Sequence, residues 1–305
     1  MKPIVNKRKK ERKTGVFITE RHAKLIVLLA VMGTSFSSVF TRLSTAPSMI
    51  LVLYRMTIAS LCLLPSVLTK HRDDWKCLSR RTVVLCALSG VFLALHFTTY
   101  FESIHRTSIA AATILGNTTV FFVALITLLL FHERLRGKCL AAIAVTFIGG
   151  IIIALSSASD GTATAGNLLA LLCALLLSFY TMIGHSCRRH NVSTSVYTFI
   201  VYLSAAVTVA LLLGITKTPY FGYEPINWLC AVGMVIFCTF LGHSVFSWGL
   251  KYVSPASVST LQMMEPVGAS VWGLLLFREA PGILVMLGGI LVIGGIILYC
   301  RYTEN

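Results

Sequence analysis

The sequence predicts an all-α integral membrane protein whose ten transmembrane helices form two inverted five-helix repeats. Three observations lead there: an apolar composition, ten runs of spanning length, and a pair of hexamers that recur at almost one offset. The 305 residues are 56% hydrophobic and 12% charged, with a mean hydropathy of +0.82. A soluble domain carries about 25% charged residues, so this composition belongs in a bilayer.

A helix needs about 20 apolar residues to cross a hydrocarbon core roughly 30 Å thick. The ten runs that meet this are 24–41, 48–69, 82–101, 108–131, 138–157, 166–186, 195–216, 228–250, 254–277 and 282–300. The first, with its apolar stretch Leu25 to Phe40, is too long for the core of a cleaved signal peptide. The second carries Arg55, the third His96, and the fourth the polar break "LGNTTVFF". The fifth and tenth each hold a glycine pair, and the eighth holds His243 and Trp248. In the ninth, "STLQMMEPVGASVWG" places Glu265 and Pro266 in a run that otherwise has no charge. The connections are short, so the chain divides into a basic tail (1–23), a first unit (24–157) and a second unit (166–300).

The nine cysteines show no C-x-x-C and mostly fall within the runs, as Cys62, Cys86, Cys173 and Cys238 do. That is the usage of a small hydrophobe, so no metal, cofactor or disulfide framework is expected. The tail run "NKRKKERK" and the net charge of +15 raise the question of nucleic acid. Beside a membrane span, a retained tail attracted to anionic lipid is the better reading. The expected partners are the lipid bilayer and a small-molecule substrate, with no nucleic acid; oligomeric state is not legible in the sequence.

Lysine and arginine stay on the cytoplasmic side of short loops. With the N-terminus inside, inner segments hold 21 of them and outer loops four: Arg42, Arg106, Lys217 and Arg278. Arg55 alone lies within a span. Both termini are therefore expected to be cytoplasmic.

Internal repetition is strong. "LLLFHE" at 128–133 recurs as "LLLFRE" at 274–279, and "IGGIII" at 148–153 as "IGGIIL" at 293–298. The offsets are 146 and 145, and the first pairs Ser108 with Ser254, Ala110 with Ala256 and Leu115 with Leu261. A repeat of five spans is odd in number, so the second copy enters the membrane in the opposite sense. That is the architecture of many secondary carriers, with a site near the midplane at the interface of the halves.

Tandem five-helix units, an acidic residue after the fourth helix of each ("LFHE", "LFRE") and a glycine pair in the fifth resemble the EamA family of the drug/metabolite transporter superfamily. Arg55 in the second span ("LYR") and Pro266 in the ninth ("EP") also suit that family. The resemblance covers about 24–300. It departs at Met32, where a tryptophan often precedes the glycine of the first span, and at Val120, the counterpart of Pro266. What it implies is a ten-helix carrier of small organic solutes, commonly amino acids and related metabolites, with many members acting as exporters. A bacterial inner membrane is the implied location.

Polar groups within a span are costly and are default site candidates. Glu265 stands eleven residues beyond Ser254, roughly 16 Å above the inner boundary, and Arg55 seven beyond Ser48, roughly 10 Å below the outer one. Their depths therefore differ by about 4 Å in a core roughly 30 Å thick. The structural reading is a fixed ion pair fastening the halves. In the functional reading they bind the carboxylate and ammonium ends of a zwitterion, or Glu265 accepts a proton during transport. Asn117, Thr118 and Gln262 make the same depth polar from both halves, and helix-to-helix hydrogen bonding is their bland alternative. Pro266 leaves the Gln262 carbonyl without its helical partner, which is tolerated only against protein, water or ligand.

His96 and His243, each about fifteen residues into oppositely directed runs, are gating or proton-coupling candidates expected in the outer and inner thirds respectively. The alternative is a neutral ring hydrogen-bonded to a neighbour. Tyr54, Tyr100, Tyr180, Tyr202 and Trp248 offer an aromatic lining for a planar or cationic solute, against ordinary packing. Glu133 and Glu279 precede the next helices and are read as structural carboxylates at helix N-termini, worth ~0.3–1 kcal/mol.

"RLRGK" lacks the earlier glycine and the following Ser/Thr of a P-loop, so ATP-driven transport within this chain is excluded. Eleven acidic residues, with Asp73-Asp74 the only doublet, hardly furnish a membrane enzyme. The expectation is a secondary transporter of amino-acid-like or related metabolites, S-adenosylmethionine-type or cationic compounds included, working by alternating access. A channel, or an ion-pair-stabilised membrane protein without proton coupling, is the alternative.

Overall fold

The computed structural model describes residues 19–76, 78–131, 137–155, 161–189, 192–262 and 264–304. Most of the basic tail and Glu133 lie outside them. The helices are α1 (Glu20–Thr34), α2 (Ser37–Leu43), α3 (Ser48–Thr69), α4 (Arg72–Lys76) and α5 (Arg80–Arg106). They continue with α6 (Ile109–Gly116), α7 (Thr119–Phe131), α8 (Gly137–Leu155), α9 (Gly161–Arg189) and α10 (Thr194–Ile215). The eighth run is α11 (Pro225–Gly233), a π-helical segment (Met234–His243) and α12 (Ser244–Gly249). Last come α13 (Pro255–Gln262), α14 (Glu265–Phe277) and α15 (Ile283–Glu304).

Among the described residues there is no strand, and seven helical stretches are long and apolar enough to cross a membrane. Three shorter apolar helices, Gly137–Ile153, Glu265–Phe277 and Ile283–Gly295, occupy the fifth, ninth and tenth runs. Large apolar side chains face outward, among them Leu29 at 72%, Ile290 at 68% and Ile215 at 76% exposure. Water would penalise that surface, whereas acyl chains solvate it. The chain is a multi-pass integral membrane protein.

The contacts between helices join the two halves. α5 packs on α9, α1 on the π-helical segment, α3 on α10, and α8 on α15, while α6 meets α14 and α7 meets α13. Exchanging the halves turns each of these pairs into itself or into another of them. The α8–α15 crossing shows why small residues are needed: a Cβ on Gly149 would stand 2.6 Å from the Gly288 carbonyl oxygen, and one on Gly288 2.7 Å from that of Gly149. Helices in lipid gain their stability from such close backbone approach.

Two of the expected spans are not continuous. The fourth breaks at Asn117–Thr118, between α6 and α7, and the ninth between Gln262 and Glu265. An offset of 146 carries Asn117 to Met263 and Thr118 to Met264, so the breaks are equivalent. Their starts are equivalent too: Ser108 Oγ accepts the Ala111 N–H at 3.1 Å and Ser254 Oγ the Ser257 N–H at 3.2 Å. Each serine caps its half-helix. Pro266 therefore does not interrupt a continuous helix, as the sequence suggested. It lies in the first turn of α14, where a missing N–H costs nothing. In the first half Asn117, with φ −90° and ψ 5°, makes the break without a proline, and its side-chain amide donates to the Thr113 carbonyl at 3.0 Å.

Glu279 also serves a different helix from the one expected. Arg278 takes a left-handed conformation (φ 56°, ψ 27°) after α14, and the Glu279 N–H bonds back to the Gly273 carbonyl at 3.0 Å. This reversal carries the Glu279 side chain to the start of α6 rather than α15.

Candidate functional site

The two breaks converge on a small cavity of about 20 Å³ with a mostly buried lining. The first half contributes Thr34 and Ser37 from the α1–α2 junction, His96, Phe97 and Tyr100 from α5, and Gly116 and Asn117 at the end of α6. The second contributes Cys173 and Leu177 from α9, Cys238 and His243 from the π-helical segment, and Gln262 and Glu265 at the ninth-run break. That volume suits about one water.

Local chemistry explains each position. Glu265 stands in the first turn of α14, where the unpaired N–H groups favour a negative charge. The Thr34 hydroxyl, which donates to the Val31 carbonyl at 3.0 Å, and the Asn117 amide stand beside its carboxylate. The π-helical turns shift the eighth run's register, and Cys238, Thr239 and His243 all lie on them. Single π turns are frequent at functional sites.

Arg55 is fully buried, with 0% exposure. Its Nε donates to Thr239 Oγ1 at 2.8 Å, and its guanidinium lies 4.0 Å over the centre of the Phe97 ring. Nη1 and Nη2 have no hydrogen-bond partner among the described residues. The fixed Arg55–Glu265 ion pair is therefore not formed by direct contact. Arg55 sits one side-chain layer behind the cavity wall, with Phe97 between.

His96 and His243 were expected in opposite thirds of the membrane, yet their ring centres are 6.2 Å apart beside one cavity. The third run is longer than read, Arg80–Arg106, which places His96 near its middle. The wider π turns before His243 climb less per residue. His96 Nδ1 is engaged by the Cys173 carbonyl at 3.1 Å, whereas His243 Nδ1 has no partner among the described residues.

Asn117, Gln262, Glu265, His96 and His243 thus meet at the cavity, with Arg55 behind it. Thr118 does not line it; its hydroxyl donates to the Leu115 carbonyl at 2.7 Å within the break. Tyr54 is bound elsewhere, donating to the Tyr220 carbonyl at 2.7 Å and stacking on Trp228 at 3.8 Å. Trp248 packs with Tyr252 at 4.9 Å beside α1. Tyr180 and Tyr202 share hydrogen bonds with Ser247 and Ser244, each 2.9 Å. Of the five proposed aromatics only Tyr100 lines the cavity, and its hydroxyl has no partner among the described residues. Sequence reasoning missed Thr34 and Ser37, although "GTSFSS" is a polar run inside the first span. Phe97, Cys173, Cys238 and Thr239 gave no signal, being ordinary residues for a span.

The profile of the EamA-like transporter family matches residues 22–155 and again 164–301. Over 287 residues the chain is 26% identical to the pseudopaline exporter CntI of Pseudomonas aeruginosa, spanning 92% of this chain and 97% of the relative. An uncharacterized transporter, YxxF of Bacillus subtilis, is 25% identical over 90% of this chain and 88% of its own. A solved crystal structure superposes with a TM-score of 0.66 at 19% identity, covering 93% of this chain and 98% of the other, which shows a shared fold. This multi-pass membrane protein is a transporter and belongs to the EamA-like transporter family.

Proposed function

We propose that the protein is a secondary carrier of small organic metabolites that works by alternating access around the central cavity. The observation that carries this reading is the small buried cavity of about 20 Å³ where two equivalently broken helices meet, lined from both halves. Discontinuous helices in matching positions of two repeats are a sign of a transporter's binding site. The chain then has ten transmembrane helices as two inverted repeats, a reading that the exchange-invariant packing supports. Both termini face the cytoplasm of a bacterium, in its inner membrane. Cargo is amino-acid-like or a related metabolite, with S-adenosylmethionine-type and cationic compounds within the same scope. The relative named as a pseudopaline exporter supports outward transport. No enzymatic step is part of this function.

Asn117, Gln262 and Glu265 contact the substrate, with Arg55 supplying charge from behind Phe97, and His96 and His243 lie where opening would first admit water. The test is exchange in liposomes holding the purified protein, for wild type, Glu265→Gln and Arg55→Gln. Saturable counterflow that falls at least about tenfold in both variants is expected, since a hydrogen bond to a charged group is worth ~1.5–3 kcal/mol. Flux without saturation or counterflow would mean a channel. Full exchange with unaltered pH dependence in both variants would remove the roles given to the two residues.

A further inference from the structure

Most cysteines of this chain serve as small hydrophobes, yet one pair is placed for chemistry. Cys86 lies on α5 in the first half and Cys187 on α9 in the second, and the Cys86 thiol donates to the Cys187 sulfur at 3.8 Å. Both are free and buried, at 0% and 3% exposure. One turn further along α5, Ser89 Oγ donates to the Tyr180 carbonyl at 3.4 Å, so the two helices stay close along this seam. A disulfide holds its sulfurs ~2.05 Å apart, and an approach of less than about 2 Å would join this pair.

The two sulfurs differ in access. Cys187 borders a second cavity, of about 220 Å³, together with Thr82, Leu85 and the exposed Arg81 and Ser186. A small oxidant entering there meets Cys187 first, with Cys86 behind it. The next residue, Arg188, is buried and bonded to three neutral oxygens: the Ser247 carbonyl at 3.1 Å, the Val192 carbonyl, and Thr194 Oγ1 at 2.5 Å. Its charge acts on both sulfurs. A cation beside a thiol favours the thiolate, which is the species that attacks an oxidant.

Resting on the carrier reading, we infer that Cys86 and Cys187 form a reversible oxidation site, at which a hydroperoxide converts the two thiols to a disulfide that ties the halves together and restrains their movement. The Cys187 thiolate attacks one peroxide oxygen: an S–O bond forms, the O–O bond breaks, and the departing oxygen takes a proton and leaves as water or alcohol. Cys187 is then a sulfenic acid. Cys86 attacks that sulfur, the S–S bond forms and the S–O bond breaks, and hydroxide leaves with the Cys86 proton as water. The thiols together lose two electrons, which reduce the peroxide. A dithiol reductant restores them by exchange. On the proposed orientation this end of the bundle, with Arg80, Arg81, Arg188 and Arg189, faces the cytoplasm, where such pairs are oxidised transiently. α5 and α9 also wall the central cavity, through His96 and Cys173, so a bond between them restrains the surfaces that must part.

The experiment treats the purified full-length protein with hydrogen peroxide, maps its peptides without reduction, and follows backbone hydrogen exchange at the two helix breaks. A peptide pair joining Cys86 to Cys187 is expected, with the loss of two hydrogen atoms and recovery in dithiothreitol. Cys86→Ser should leave Cys187 as a sulfenic acid that dimedone traps, whereas Cys187→Ser should leave Cys86 unmodified. Cys62→Ser, which removes an exposed thiol elsewhere, should cross-link as the wild type does. Exchange at the breaks should slow at least about tenfold in the oxidised protein. Absence of the Cys86–Cys187 pair, or dimedone on Cys86 rather than Cys187, overturns the inference. So does exchange that is equally fast before and after oxidation, since the bond then restrains nothing. Exchange already slow in the reduced protein, with the cross-link forming as expected, instead removes the opening motion of the carrier reading, and the restraint with it, while the oxidation site stands.

Discussion

Glu279 and Ile109 are joined across the halves: the Glu279 carboxylate accepts the first N–H of α6 at 2.5 Å through Oε1, while its Oε2 pairs with Arg42 at 2.8 Å. Arg42 also approaches the Thr107 carbonyl at 3.4 Å, so three connections at one end of the bundle share a single clasp. The sequence marks this glutamate through the recurring "LFRE" motif but assigns it to the wrong helix, because the left-handed turn at Arg278 that redirects it has no glycine to announce it.

Removing that clasp should cost stability in two parts. Glu279→Ala deletes a helix cap, worth about 1 kcal/mol. The ion pair, with side chains 28% and 25% exposed, adds no more than ~1 kcal/mol after solvent screening. The melting temperature of the detergent-purified variant is expected to drop by a few degrees, and Glu279→Gln, which keeps an oxygen for Ile109, by about half as much. An alanine variant that melts with the wild type would show that the clasp contributes nothing.

The second of the two glycine pairs in α15, Gly294–Gly295, gives a sharper contrast between neighbours. A Cβ on Gly295 would stand 2.5 Å from Thr146 Oγ1 and 2.9 Å from the Ala142 carbonyl oxygen, whereas one on Gly294 meets nothing within 4 Å. Gly295→Ala should destabilise by about 1–3 kcal/mol through overpacking. Gly294→Ala should be neutral or slightly stabilising, because alanine is the better helix residue by about 1 kcal/mol. Paired thermal unfolding in detergent measures both, and equal effects would contradict the packing of α8 on α15.

These two glycines also show how much the sequence could convey. Hydropathy and repetition fix which runs are helices and which are equivalent, because both depend on residue type alone. They do not say which of two adjacent glycines faces the neighbouring helix, since that depends on rotation about the helix axis. The same limit governs the site. Glu265, Gln262 and Asn117 were legible because polar groups in an apolar run need a reason. Tyr54 was indistinguishable from Tyr100 by type, yet one stacks on Trp228 and the other lines the cavity. The proximity of His96 and His243 was hidden by the π-helical segment, whose residues are ordinary apolar ones.

The equivalence of the two breaks predicts which of their residues matters. The first half breaks at Asn117 with Val120 where the second has Pro266, so a proline is not needed to part these helices. Pro266→Ala is therefore expected to keep the break and most exchange activity, with a melting temperature within a few degrees of wild type. Asn117→Leu has a larger effect. It removes the side-chain amide beside Glu265, and an unmet buried polar group costs about 1–3 kcal/mol, whereas the Thr113 carbonyl keeps its bond from the backbone N–H of residue 117 at 3.0 Å. Counterflow in liposomes should fall at least about tenfold for Asn117→Leu and less than about twofold for Pro266→Ala. The reverse order would mean that the proline, rather than the polar break, sets the geometry at the centre of the carrier.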